Sequence, residues 1–127
     1  MRAAVYKSKR LFRIEEIPTP EPGPGQVLVK IKYSAICGSD VHAFLYDIPE
    51  PGTVMGHEYS GTIDKIGQGV SSWSLGDRVI GGGGLPPPGE GPSYVTNPRF
   101  NFRTMGFNAQ QKRAYADYIV LPEWNPL

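Results

Sequence analysis

Alternation of apolar and polar side chains is strongest between residues 26 and 33, where Val27, Val29, Ile31 and Tyr33 fall on one face and Lys30 and Lys32 on the other. A period of two marks a strand with one face against a core, which makes this segment the clearest strand in the chain. Residues 3–6 and 11–17 follow the same rule and are joined by the polar turn 7–10, so an opening hairpin is expected, with Pro18 stopping its second strand. Residues 59–66 alternate and run into the turn Gly67-Gln68-Gly69; residues 77–80 and 114–121 read as further short strands. A helical pattern is confined to Val41, Phe44 and Leu45, with Ser39 or Asp40 as its cap and Pro49 and Pro51 beyond its end.

Composition reinforces this reading. Thirteen prolines and sixteen glycines leave little room for long helices, so the fold should be mainly β. Within 127 residues one hydrophobic core is expected, hence one domain over 1–127. Residues 81–113 hold the glycine run 81–84, the prolines 86–88 and a Gly/Pro-rich piece to Pro92; they are expected to form a long excursion from that domain. No repeat and no heptad pattern is present.

The formal charge is +1, and no Lys/Arg run builds the one-signed stripe that holds a phosphate backbone, which argues against a nucleic-acid partner. Five basic residues lie among the first thirteen, but no apolar stretch follows that suits a signal peptide or approaches the roughly 20 residues of a membrane span. A soluble, cytoplasmic protein is expected. Cys37 is the only cysteine, so an internal disulfide is impossible. It is therefore a buried bystander, a reactive thiol or a metal ligand.

Its neighbours arbitrate. Cys37 opens the run Cys37-Gly38-Ser39-Asp40-Val41-His42, and the run Gly56-His57-Glu58 follows; both histidines of the chain lie in these two pieces. Thiolate and imidazole are the ligands zinc prefers, and a catalytic zinc takes three protein ligands while leaving a position open. Cys37 and His57 supply two. Glu58 either completes the set or stands beside the metal, with the further ligand coming from outside this chain. Asp40 suits the carboxylate that accepts the second ring N–H of a metal-bound histidine. Ser39 and His42 suit a proton relay from a buried hydroxyl to an imidazole, the side chain that changes charge near neutrality. Phe44 and Tyr46, just beyond, are candidates to line a substrate pocket.

Together with Gly61, Gly76-Asp77-Arg78-Val79, the opening Met1-Arg2-Ala3-Ala4-Val5, Gly67-Gln68-Gly69-Val70 and Ala116-Asp117-Tyr118, these motifs resemble the zinc-dependent medium-chain alcohol dehydrogenases, particularly their polyol branch. The resemblance covers about the whole chain and corresponds to that family's amino-terminal, GroES-like catalytic domain. It implies a partly open β-barrel with short helices and one catalytic zinc at Cys37 and His57, Glu58 being the carboxylate beside the metal. Ser39 would be the first relay hydroxyl, Asp40 the residue orienting the zinc histidine, and His42 a further relay member. The implied reaction transfers hydride between an alcohol or polyol and NAD or NADP, in an enzyme that is a homo-oligomer at full length.

Two departures qualify the resemblance. Residues 81–113 contain no cysteine, so the four-cysteine structural zinc lobe of some family members is not expected. No strand, Gly-x-Gly-x-x-Gly turn and helix follow one another within the chain, so no cofactor-binding residue is expected in it and the nucleotide-binding domain should lie outside it. Gly67-Gln68-Gly69 lacks the third glycine of that turn. The chain alone is accordingly expected to be inactive. An alternative is a GroES-like interaction or folding module with a vestigial metal site.

Overall fold

A computed structural model describes residues 1–81, 109–110 and 112–127. Most of the excursion expected at 81–113 lies outside the described residues. The order of elements is β1 (Arg2–Ser8), β2 (Leu11–Glu16), β3 (Gln26–Ala35), α1 (Gly38–Tyr46), β4 (Glu58–Ile66), β5 (Arg78–Gly81) and β6 (Tyr118–Pro122). The fold is mainly β, as the alternation indicates, with one short helix among the described residues.

β1 and β2 form the expected antiparallel hairpin, turning at Arg10, whose φ is 60°. The other four strands make an antiparallel sheet in the order β5-β4-β3-β6. The two sheets do not close into a continuous barrel; they are stitched along the outer edge of β1. There the Ala4 N–H donates to the Tyr115 carbonyl at 2.7 Å and the Tyr6 N–H to that of Thr53 at 2.8 Å. Isolated bridges pair Ala3 with Ala116 and Val5 with Val54.

The main core lies on one face of the four-stranded sheet, where Val27, Val29, Ile63, Val79 and Ile119 are buried and Trp73 packs against them. Each such aliphatic side chain contributes about 1.5–3 kcal/mol by leaving water. A smaller cluster of Ala3, Val5 and Val54 joins the hairpin to the body, and a third, of Ala43 and Met55, seats the helix. Tyr115 packs against both small clusters.

The structure corrects the expected pattern at three places. Tyr33 does not share the buried face of Val27 and Val29 but is 69% exposed. Register shifts between Leu28 and Val29 and between Ile31 and Tyr33 break the alternation that an unbulged strand would keep. The strand expected over 114–121 is shorter: residues 114–117 approach the rest of the fold through a bridge and single hydrogen bonds, and the ladder starts at Tyr118. The cap of α1 is Cys37, two residues before Ser39 and three before Asp40, the expected caps, because the Asp40 carboxylate reaches back to the Cys37 N–H.

Gly61 sits where β4 crosses a bulged β3. A Cβ there would collide with the Lys30 carbonyl oxygen and lie 2.8 Å from Val29 Cγ1. Gly38, at the start of the helix, has open space around the same position. Gly61→Ala is therefore expected to lower the unfolding free energy by about 1–3 kcal/mol, the usual cost of overpacking a well-filled site. Gly38→Ala should change it by less than roughly 1 kcal/mol, since helical Ala is favoured over Gly by about that amount. Urea unfolding of the two variants beside the parent checks both.

Candidate metal centre

The pairing of β3 with β4 builds the site. Ala35 at the end of β3 faces Glu58 at the start of β4. Cys37 follows Ala35 by two residues and His57 immediately precedes Glu58, so the register brings two distant runs together. The Sγ of Cys37, a ring nitrogen from His57 and a carboxylate oxygen from Glu58 lie within 4.8 Å of one another, each on a half-buried residue. Four-coordinate zinc, with bonds of about 2.0–2.3 Å, holds its donors roughly 3.5 Å apart, so a small inward movement closes the set. The donors are those zinc prefers, and three of them leave a position open. The residues fit the ion.

The backbone on either side is held. Cys37 caps α1 in an extended conformation, and its carbonyl accepts the N–H groups of Asp40 at 3.0 Å and Val41 at 3.2 Å. Gly56, with φ of 96°, turns the chain into His57. Residues 113–115 run beside this turn: the N–H groups of Arg113, Ala114 and Tyr115 donate to the carbonyls of Val54, Gly56 and Met55.

Asp40 lies beneath the donors and is 3% exposed. Its Oδ2 accepts the Cys37 N–H at 3.2 Å and the Tyr115 hydroxyl at 2.9 Å. Oδ1 has no hydrogen-bond partner and lies 3.7 Å from His57 Nδ1, beyond hydrogen-bond length. Burial, and then the bond to Asp40, push the Tyr115 hydroxyl well above the ordinary tyrosine pKa. The Arg113 guanidinium is pulled below its usual range by burial, against which the negative charge of Asp40 acts. Tyr59, one residue past Glu58, carries a buried hydroxyl with no hydrogen-bond partner, and burial pushes its pKa up to about 12.

The proposed relay and pocket residues lie along α1. Ser39 Oγ is buried and without a hydrogen-bond partner, so no hydrogen bond joins it to His42. His42 is exposed, its ring 4.5 Å from that of Tyr46, which is itself 66% exposed. Phe44 stacks on Phe12 of β2, with centroids 5.3 Å apart. A broad groove of about 600 Å³, bounded in part by Phe12, Ile31, Ile36 and Tyr115, includes neither Phe44 nor Tyr46 and none of the three donors. The turn at Gly67 spends its N–H on the Gln26 carbonyl. Among the described residues no helix is long and apolar enough to cross a membrane. Tyr115 and Arg113 escaped the sequence reading; the only signal near them was the alternation of 114–121.

An open arrangement of short antiparallel strands with one short helix among the described residues has the architecture of a GroES-like domain. Residues 23–127 match the family model described as the alcohol dehydrogenase GroES-like domain. The chain belongs to that family, the amino-terminal domains of the zinc-dependent medium-chain dehydrogenases. It is 33% identical over 117 residues to an L-threonine 3-dehydrogenase of Xanthomonas axonopodis, covering 88% of this chain and 34% of the relative. It is 37% identical over 113 residues to a sorbitol dehydrogenase of Halalkalibacterium halodurans, covering 86% and 32%. The crystal structure of 2R,3R-butanediol dehydrogenase from Bacillus subtilis superposes with a TM-score of 0.81 at 30% identity, covering 99% of this chain and 39% of that one. The chain thus spans about a third of the length of the curated relatives it matches.

Tyr59 gives a prediction about stability and pH. Its hydroxyl titrates near 10 in the unfolded chain and about 12 in the folded one, so folding favours the neutral form. The stability this preserves is intact below pH 10 and is lost as pH rises from 10 to 12. Tyr59→Phe removes an unpartnered buried hydroxyl, so it should leave stability within about 1 kcal/mol of the parent at pH 8. At pH 11 the variant should be the more stable of the two. Urea unfolding at both values checks the crossover.

Proposed function

We propose that this chain is the metal-holding, substrate-activating domain of a cytoplasmic dehydrogenase that moves hydride between an alcohol or polyol and NAD or NADP. The observation that carries the reading is the mutual approach of the Cys37, His57 and Glu58 donors in a chain of this family. Cys37 and His57 hold one zinc ion, with Glu58 as third ligand or as the carboxylate beside it. Bound there, zinc supplies Lewis-acid polarisation of the substrate oxygen and stabilises the charge left when the hydroxyl proton departs.

The chain's own residues do the rest. Asp40 orients His57. Ser39, whose Oγ is buried and uncommitted, receives the substrate's hydroxyl proton and passes it outward to His42, whose imidazole stands in solvent at the other end of the first helical turn. Residues three apart on a helix are neighbours, which is what a two-member relay needs. Phe44 and Tyr46 offer apolar surface to the substrate. NAD or NADP binds a nucleotide-binding domain outside this chain, and the full-length protein is a homo-oligomer.

The named relatives point to a substrate class. Threonine, sorbitol and butanediol are all alcohols carrying a second polar group on the carbon next to the reacting one. A small secondary alcohol of that kind is the proposed substrate.

The test is zinc content and NAD(P)-dependent oxidation of a panel holding these three compounds, on the full reading frame that carries the chain. One catalytic zinc per subunit is expected, with oxidation of at least one panel member. Cys37→Ser should abolish both. A parent protein without zinc sinks the proposal; a Cys37→Ser protein that assembles normally beside a metal-free parent favours the interaction module.

A further inference from the structure

Four contacts hold Tyr115, three of them through its side chain. Its N–H donates to the Met55 carbonyl at 2.8 Å, and its ring lies so close to Gly56 that a Cβ there would be 2.5 Å from Cδ1. The ring packs edge-on to Phe12, with centroids 6.4 Å apart. Its hydroxyl donates to Asp40 Oδ2 at 2.9 Å. The same side chain therefore touches the turn that delivers His57 and the carboxylate beneath His57.

The two oxygens of Asp40 are unequal as a result. Oδ2 takes two donors, from Cys37 and Tyr115, whereas Oδ1 has none and faces His57 Nδ1 at 3.7 Å. A buried carboxylate oxygen without a donor is costly, and the nearby imidazole can supply one only by carrying its proton on Nδ1. An imidazole protonated at Nδ1 presents Nε2 as a free lone pair. We propose that Tyr115 is a positioning residue for the metal centre: by occupying Oδ2 it turns the free Oδ1 of Asp40 toward His57, selects the Nδ1–H tautomer and keeps Nε2 for the metal.

The role depends on the hydroxyl alone, since phenylalanine preserves every ring contact. Without that donor the Asp40 carboxylate keeps one hydrogen bond, from the Cys37 N–H, beside the charge of the buried Arg113, and its orientation about the Cβ–Cγ bond is less fixed. Both oxygens then share the contact with His57, and the imidazole populates both neutral tautomers. The metal-related part rests on the zinc reading given above; the tautomer does not.

The experiment compares the parent with Tyr115→Phe and, as a control for loss of a buried tyrosine hydroxyl elsewhere, Tyr59→Phe, each in the full reading frame. Long-range ¹H–¹⁵N spectra of the metal-free proteins at pH 8 read the His57 tautomer, assigned with His57→Gln. Chelator competition reads zinc affinity, and urea unfolding confirms that each variant is folded. The parent and Tyr59→Phe should show the Nδ1–H tautomer and Tyr115→Phe a mixture. Zinc affinity should fall about tenfold or more in Tyr115→Phe only, as for other groups that orient a ligating histidine. A His57 tautomer indifferent to Tyr115→Phe overturns the proposal, as does an equal response to Tyr59→Phe. A parent that binds no zinc but whose tautomer responds to Tyr115→Phe overturns the zinc reading and supports the positioning role.

Discussion

Everything at the candidate centre depends on one backbone constraint, the register in which β3 pairs with β4. Ala35 opposite Glu58 is the last rung of that ladder, and the donors are the residues just beyond it. A slip of one residue would send Glu58 to the opposite face, because side chains alternate with a period of two. Two features guard the register further along the ladder: Gly61, which admits the Lys30 carbonyl where no side chain fits, and the two bulges, which place one extra residue in β4 and one in β3. The site's geometry is thus set by strand packing several residues away. The ligands themselves contribute little to it.

Polar groups under the site are arranged sparingly. Asp40 is buried with one oxygen doubly engaged and one without a donor, and Tyr59 and Ser39 carry buried hydroxyls that make no hydrogen bond. Orphaned groups of this kind are rare in protein interiors and each lowers stability. Ser39 lies two residues past Cys37, where a substrate hydroxyl would offer its Oγ what the protein withholds. Stability given up locally is a common feature of sites built for a ligand.

The strands and the donor set were legible because both rest on local signals. Alternation located five of the six strands within a few residues, and the two short runs holding the only cysteine and both histidines contain the Cys37, His57 and Glu58 side chains that the fold brings within 4.8 Å of one another. What escaped has a physical reason in each case. Tyr33 is exposed because a bulge, which leaves no mark in the polar pattern, shifts the phase. Cys37 caps the helix because the Asp40 carboxylate folds back over the first turn, a local contact three residues apart that a cap preference for Ser or Asp does not register. Tyr115 lies far from the site in sequence and reaches it only once residues 113–115 lie beside 54–56. The family resemblance held throughout, since it rests on spacing, and spacing is what the β3–β4 register conserves in space.

The hairpin that opens the chain carries a consequence for synthesis. Its first strand is completed along its outer edge by residues made more than a hundred positions later: the Arg2 N–H donates to Asp117 and the Ala4 N–H to the Tyr115 carbonyl. At ribosomal rates of about 5–20 residues per second, an interval of 115 residues lasts roughly 6–23 s. For that time β1 has an unpaired edge, the feature through which strands recruit other chains. The first strand to emerge is among the last to be finished. Residues 52–54 cover the far part of that edge earlier, through Tyr6, and the residue that closes the rest is the same one that donates to Asp40.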